Sequence, residues 1–176
     1  MRKRILITGA SSGLGAEMAR QFAAKDRSLV LCARRVDRLD ALRTEILAAH
    51  PAASVQVHAL DVNDHDAVFR VFDAAAAELG GLDRVIVNAG IGKGAPIGTG
   101  RFDANRATVM TNLVSAMAQC EAGMEIFRAA GAGHLVVISS MSAMRGLPRT
   151  MTAYAASKAG IASLAEGIRA DVLRTD

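Results

Sequence analysis

Arg4-Ile5-Leu6-Ile7-Thr8-Gly9-Ala10-Ser11-Ser12-Gly13-Leu14-Gly15 is a short aliphatic run that breaks into a glycine-rich turn and leads straight into a helix-forming stretch. The β-branched and leucine residues predict a strand over Arg4 to Thr8. Glycines at 9, 13 and 15 let the backbone turn sharply and approach a ligand closely, with Ser11, Ser12 and Leu14 between them. The turn delivers the chain to the start of a helix predicted over Gly13 to Ala24. The free amides and positive dipole end of such a start favour a pyrophosphate. A glycine-rich turn alone is a weak signal, and its weight comes from what surrounds it.

Working outward, aliphatic runs alternate with longer alanine-rich amphipathic stretches. Strands are predicted over Arg4 to Thr8, Ser28 to Ala33, Val55 to Leu60, Arg84 to Asn88 and His134 to Ser139. Helices are predicted over Gly13 to Ala24, Asp37 to His50, Asp64 to Glu78, Asp103 to Ala130 and Ala153 to Leu173. Alternation of this kind implies βαβ units around a parallel sheet, with right-handed crossovers that lay helices on both faces. The expected fold is a three-layer, doubly wound α/β sheet in a single domain over residues 1–176. A glycine-rich connection from Gly90 to Gly100 directly follows a strand end, where loops of open α/β sheets line sites. In this setting the first turn reads as a dinucleotide site.

Composition agrees with one domain. Of 176 residues, 51% are hydrophobic, yet the aromatics are only 5 Phe and 1 Tyr, so the core must be built of Ala, Val, Leu, Ile and Met. No apolar run reaches the length of a membrane span, and the segment after Met1-Arg2-Lys3-Arg4 is too short for a signal sequence. A soluble, cytoplasmic protein is expected. The net charge of +4 could suggest an anionic partner, but the arginines are scattered and aromatics for stacking on bases are scarce, which argues against nucleic acid. Cys32 and Cys120 have neither disulfide nor metal spacing and are expected as buried thiols. His50, His58, His65 and His134 form no cluster, and no metal is implied.

Where the second strand ends, a carboxylate would bind the free 2′-hydroxyl of NAD. The chain has Ala33-Arg34-Arg35 instead. A guanidinium there can hold a 2′-phosphate through charge-assisted bonds, so NADP(H) is the expected cofactor, with Arg34, next to the strand end, the better placed of the two. Farther on, the only tyrosine, Tyr154, precedes Lys158 by four residues. On a helix this puts phenol and ammonium on one face. A nearby cation favours the phenolate, and a phenol so tuned can give or take a proton near neutrality.

Taken in order, Thr8-Gly9-Ala10-Ser11-Ser12-Gly13-Leu14-Gly15, Asn88-Ala89-Gly90, Ser139-Ser140 and Tyr154-x-x-x-Lys158 resemble the short-chain dehydrogenase/reductase family over nearly the whole chain. The resemblance implies a Rossmann sheet, a nicotinamide cofactor and a small alcohol or carbonyl substrate. It makes Tyr154 the general acid/base, and Lys158 its modulator and a ligand of the nicotinamide ribose. Ser140 would bond the substrate oxygen and Asn112 would hold a water in a proton relay. Asp61-Val62 would contact adenine, and Asn88-Ala89-Gly90 would support the cofactor and the central sheet. The family's habits also imply a homo-oligomer, a dimer or tetramer built on the helices around Asn112 and Tyr154.

Two departures stand out. Ser140 lies one residue farther from Tyr154 than is usual in the family, and Ser142 is the alternative hydroxyl. The chain also stops at Asp176, where family members continue with a sixth strand, a substrate-covering loop and a seventh strand. A truncated chain is therefore expected, with the fifth strand as a sheet edge. Two other functional classes compete: a non-catalytic dinucleotide-binding or interaction module, and an isomerase or epimerase on the same fold. An aligned acid and modulator argue against the first. Against the second stand glycines at 9, 13 and 15 rather than in a Gly-x-x-Gly-x-x-Gly turn.

Overall fold

The computed structural model describes residues 3–173. Five strands form one sheet: β1 (Arg4–Thr8), β2 (Ser28–Ala33), β3 (Val55–Ala59), β4 (Arg84–Val87) and β5 (Leu135–Val137), in the order β3-β2-β1-β4-β5. The β1–β2, β2–β3 and β1–β4 pairs are parallel, with Ile5 opposite Leu29 and Arg84. Between the strands run α1 (Gly13–Ala23), α2 (Val36–Ala49), α3 (His65–Leu79), α4 (Phe102–Val109) and α5 (Ser115–Ala130), and α6 (Thr152–Val172) follows β5. The fold is thus the expected Rossmann-type α/β class.

The expected single domain contains two compact units, one of residues 1–89 with 118–136 and the other of residues 90–117 with 137–176. In the first, consecutive Ile5, Leu6 and Ile7 have no accessible surface. Successive strand residues face opposite sides, so both faces of β1 are covered. Phe72 of α3 and Leu29, Val30 and Leu31 of β2 complete this core. Cys32 and Cys120 are both buried, and burial pushes each thiol up to about 12. Strand order reverses between β1 and β4, so the turns after these neighbours lie side by side at the crevice where open α/β sheets take ligands.

Several boundaries differ from the sequence pattern. β3 and β4 each end one residue early, and β5 shrinks to Leu135–Val137 because Ile138 and Ser139 leave the ladder to bond α6. β3 and β5 are the sheet edges and are only part-buried, the edge position of β5 being the one expected. The single helix expected over Asp103 to Ala130 is instead α4, a π-helical turn over Met110–Val114, and α5, with Ser115 N–H donating to the Met110 carbonyl. Two 3-10 turns, Met141–Met144 and Arg149–Met151, lead into α6. No helix among the described residues is long and apolar enough to cross a membrane.

Candidate active site

In the first unit the glycine turn is clamped from the neighbouring strand end. Asn88 Nδ2 donates to the Thr8 carbonyl at 2.9 Å and the Gly9 carbonyl at 3.4 Å. Thr8 Oγ1 accepts from the Asn88 and Ala89 amides at 3.1 and 3.2 Å. Gly9 has φ 65, the left-handed region, and a β-carbon there would stand 2.8 Å from Ala89 Cα. The turn therefore needs glycine twice over, for conformation and for room. Ser12 precedes α1, Gly13 opens it, Gly15 is buried in its first turn and Leu14 is exposed.

The two arginines after β2 part company. Arg35 reaches back to the turn: its Nη2 donates to Ser11 Oγ at 2.9 Å and Ser12 Oγ at 2.8 Å. Arg34, preferred from sequence position, points instead to Asp61, with 3.9 Å between charged atoms. Asp61 Oδ1 also accepts from the Asn63 amide and side chain at 3.0 Å each, while Val62 is buried.

In the second unit Asn112 and Lys158 meet at Gly90, Lys158 lies beside Tyr154, and Ser140 follows Ser139, which bonds the Lys158 carbonyl. Asn112 lies in the π-helical turn and is buried. Its Oδ1 accepts from the Ile91 amide and its Nδ2 donates to the Ile91 carbonyl, both at 2.8 Å. Nδ2 also reaches Ser157 Oγ at 3.3 Å, and Ser157 Oγ donates to the Tyr154 carbonyl at 2.7 Å. A β-carbon on Gly90 would stand 3.1 Å from Asn112 Oδ1 and 3.7 Å from Lys158 Nζ, which puts all three at one point. Ser140 caps the Met141–Met144 turn; Ser142 donates to Ser140 Oγ through its amide at 3.2 Å and its hydroxyl at 2.9 Å. The alternative hydroxyl is therefore a buried support for the part-exposed Ser140.

Lys158 is 6% exposed, and its Nζ lies 6.0 Å from the Tyr154 ring centre. It forms no ion pair among the described residues; Nζ donates to the Ile138 carbonyl at 2.7 Å. Burial pulls its pKa below the ordinary lysine value. Lys158 is thus a desolvated cation. Such a group beside a part-exposed phenol can assist proton transfer at the phenol oxygen.

Three contributors escape sequence reasoning. Thr8 Oγ1, Ser139 Oγ, which donates to the Lys158 carbonyl at 2.8 Å, and Ser157 Oγ all hold site residues through their hydroxyl groups. Hydroxyl residues carry no pattern that separates such a role from ordinary turn bonding; only their adjacency to Gly9, Ser140 and Lys158 hints at it. Among the described residues no group of three or more His, Cys, Asp or Glu could hold a metal ion.

The architecture has counterparts in known proteins. The short chain dehydrogenase family model matches residues 3–176. An uncharacterised oxidoreductase of Mycobacterium tuberculosis is 56% identical over 170 residues, covering 97% of this chain and 67% of that protein. Levodione reductase superposes with a TM-score of 0.93 at 29% identity, covering 98% of this chain and 67% of the other. A metagenomic short-chain oxidoreductase solved in complex with NADP superposes with a TM-score of 0.88 at 31% identity, covering 96% and 76%. The chain thus spans about two thirds of the length of the curated relative and belongs to the short chain dehydrogenase family of oxidoreductases.

Proposed function

We propose that the protein is an NADP(H)-dependent oxidoreductase that interconverts a small carbonyl compound and its alcohol, with Tyr154 as general acid/base. The observation that carries this reading is the buried Lys158, without an ion pair among the described residues, beside the Tyr154 ring, in one cluster with Asn112 and bonded to Ser139 next to Ser140. A purely structural lysine would be exposed or paired with a carboxylate, because an unpaired buried cation is costly.

The residues present fit a dinucleotide. The left-handed Gly9 and the amides at the start of α1 suit a pyrophosphate, and Arg35, bonded to Ser11 and Ser12, offers its guanidinium for a 2′-phosphate. Arg34, drawn to Asp61, takes a lesser share. The complex of the metagenomic relative with NADP supports the same choice. When bound, the nicotinamide supplies or accepts the hydride.

The chain's own work is at the substrate oxygen. In reduction, negative charge grows there, and the Ser140 hydroxyl and Tyr154 phenol stabilise it, Tyr154 giving up its proton. Lys158 favours the phenolate left behind, and Asn112, locked by the Ile91 peptide, keeps the cluster rigid. The exposed Phe102 of α4, Met110 of the π-helical turn and Met117 at the start of α5 support the expected homo-oligomer. The test is a fluorescence titration with NADPH and NADH, followed by NADPH oxidation over a panel of ketones and aldehydes. Tighter NADPH binding and turnover of at least one carbonyl are expected; equal affinity for NADH would overturn the cofactor assignment.

A further inference from the structure

Asn105, Thr108 and Asn112 lie three and seven positions apart, a spacing that places them on one helix face. Each holds the backbone of the chain that follows β4. Asn105 Oδ1 accepts from the Ala95 amide at 2.9 Å, Thr108 Oγ1 donates to the Lys93 carbonyl, and Asn112 makes both bonds to Ile91. The bonded loop positions, 91, 93 and 95, alternate as in an extended strand running antiparallel to the helix. Two extended residues rise about 6.7 Å and three to four helical residues about 5 Å, so the rungs nearly match. The loop takes from side chains the hydrogen bonds that a sheet neighbour would otherwise supply.

The last rung reaches farthest. Asn105 and Ala95 are both buried, so the Ala95 amide has no water to turn to if the acceptor is withdrawn. Beside it, Gly94 packs so tightly on the turn before α6 that a β-carbon would overlap the Thr150 carbonyl oxygen. That turn is itself constrained: Arg149 has φ 61, and Thr152 Oγ1 donates to the Leu147 and Arg149 carbonyls at 3.1 and 3.3 Å. Tyr154, the third residue of α6, follows four positions after Thr150.

We propose that Asn105 is a positioning residue: through the Ala95 amide and the Gly94–Thr150 contact it sets the placement of the start of α6, and with it Tyr154. It touches no reacting atom. The inference rests on the function proposed above only for its kinetic consequence, because the geometry itself can be measured without substrate.

The chain has 1 tyrosine and no tryptophan, so its intrinsic emission reports Tyr154 alone. In Asn105→Leu, which keeps bulk and removes the acceptor, the Ala95 amide should exchange with deuterium about tenfold faster and the acrylamide quenching constant of Tyr154 should change. Asn105→Asp, which keeps an acceptor oxygen, should restore both. In NADPH-linked reduction of cyclohexanone as probe, Asn105→Leu should lower kcat about tenfold with the KM for NADPH nearly unchanged. Wild-type exchange and quenching in Asn105→Leu, an Asn105→Asp variant as impaired as Asn105→Leu, or a raised KM with kcat intact would each overturn the proposal. Should Asn105→Leu not fold, Asn105→Ser is read by the same two substrate-free measurements and decides alone. Absence of turnover by the wild type would refute the proposed activity and leave exchange and quenching to decide the positioning role.

Discussion

Lys158 Nζ donates to the Ile138 carbonyl at 2.7 Å, and Ser139, the next residue, returns a bond from its Oγ to the Lys158 carbonyl at 2.8 Å. The two bonds run in opposite directions between the same segments. α6 therefore cannot slide past the residues after β5 without breaking both, and Ser140, which follows immediately, is fixed relative to Lys158. The polar bonds that shorten β5 are the ones that hold the cation in place.

The first prediction concerns the phenol. Tyr154→Phe removes one hydroxyl and leaves the packing of α6 intact. NADPH affinity should be retained while carbonyl reduction falls by about 100-fold or more, the scale of a lost general acid. Stopped-flow NADPH oxidation separates the two, and undiminished turnover would remove Tyr154 from the mechanism.

The cation makes a second prediction, in stability against pH. Burial lowers the pKa of Lys158 in the folded chain, whereas the unfolded side chain titrates near the ordinary value of about 10.4. Between the two values the unfolded state binds more protons, so stability rises with pH across that window. Lys158→Met should abolish this rise and, at neutral pH, retain much of the wild-type stability while losing activity. Urea midpoints measured from neutral to alkaline pH check the slope; an unchanged slope in the variant would assign it to another group.

Cofactor choice gives the third. Arg35 stands at Ser11 and Ser12, whereas Arg34 is engaged by Asp61. Arg35→Ala should raise the Kd for NADPH by about tenfold or more, as expected for a lost charge-assisted bond to phosphate, with little change for NADH. Arg34→Ala should act more weakly. Fluorescence titration of both variants decides between them, and a larger effect at Arg34 would make it the principal phosphate ligand.

What was legible in the chain was whatever has a period or a fixed spacing. The aliphatic run before Gly9 and the repeated strand–helix alternation gave the sheet, and the four-residue offset of Tyr154 and Lys158 gave their common face. Less could be read where several conformations share one pattern. The apolar spacing through Met110 to Val114 suits an α-helix as well as a π-helical turn, and the bonds of Asn112 to Ile91 made within that turn leave no pattern in the sequence. Neither the desolvation of Lys158 nor the split between Arg34 and Arg35 leaves any local mark, because each depends on a segment distant in the chain. Asn105 is similar: a polar residue near a helix start reads as a solvated position until the buried Ala95 amide is seen to need it.

The fourth prediction lies away from the site, where the start of β1 meets the residue before β4. Asp83 Oδ1 pairs with Arg4 Nη2 at 2.6 Å, and its Oδ2 accepts from the Lys3 and Arg4 amides at 2.8 and 2.9 Å. The Arg4 side-chain bond, aided by these amides, holds the Asp83 carboxyl well below the usual carboxylate range against the opposing effect of burial. A depressed folded pKa means that the added stability is fully present above the unfolded value of about 3.9 and is lost as pH falls through the folded one. The pair is only partly buried, with side chains 36% and 23% exposed, so solvent screening limits its worth at neutral pH to about 1–2 kcal/mol. Asp83→Asn should lower stability by that amount at pH 7, with the difference from wild type shrinking as the pH is lowered below about 4. Parallel urea unfolding of the two proteins at neutral and acid pH provides the check. A deficit that stays constant across the range would show that geometry, not ionisation, carries the contribution of Asp83.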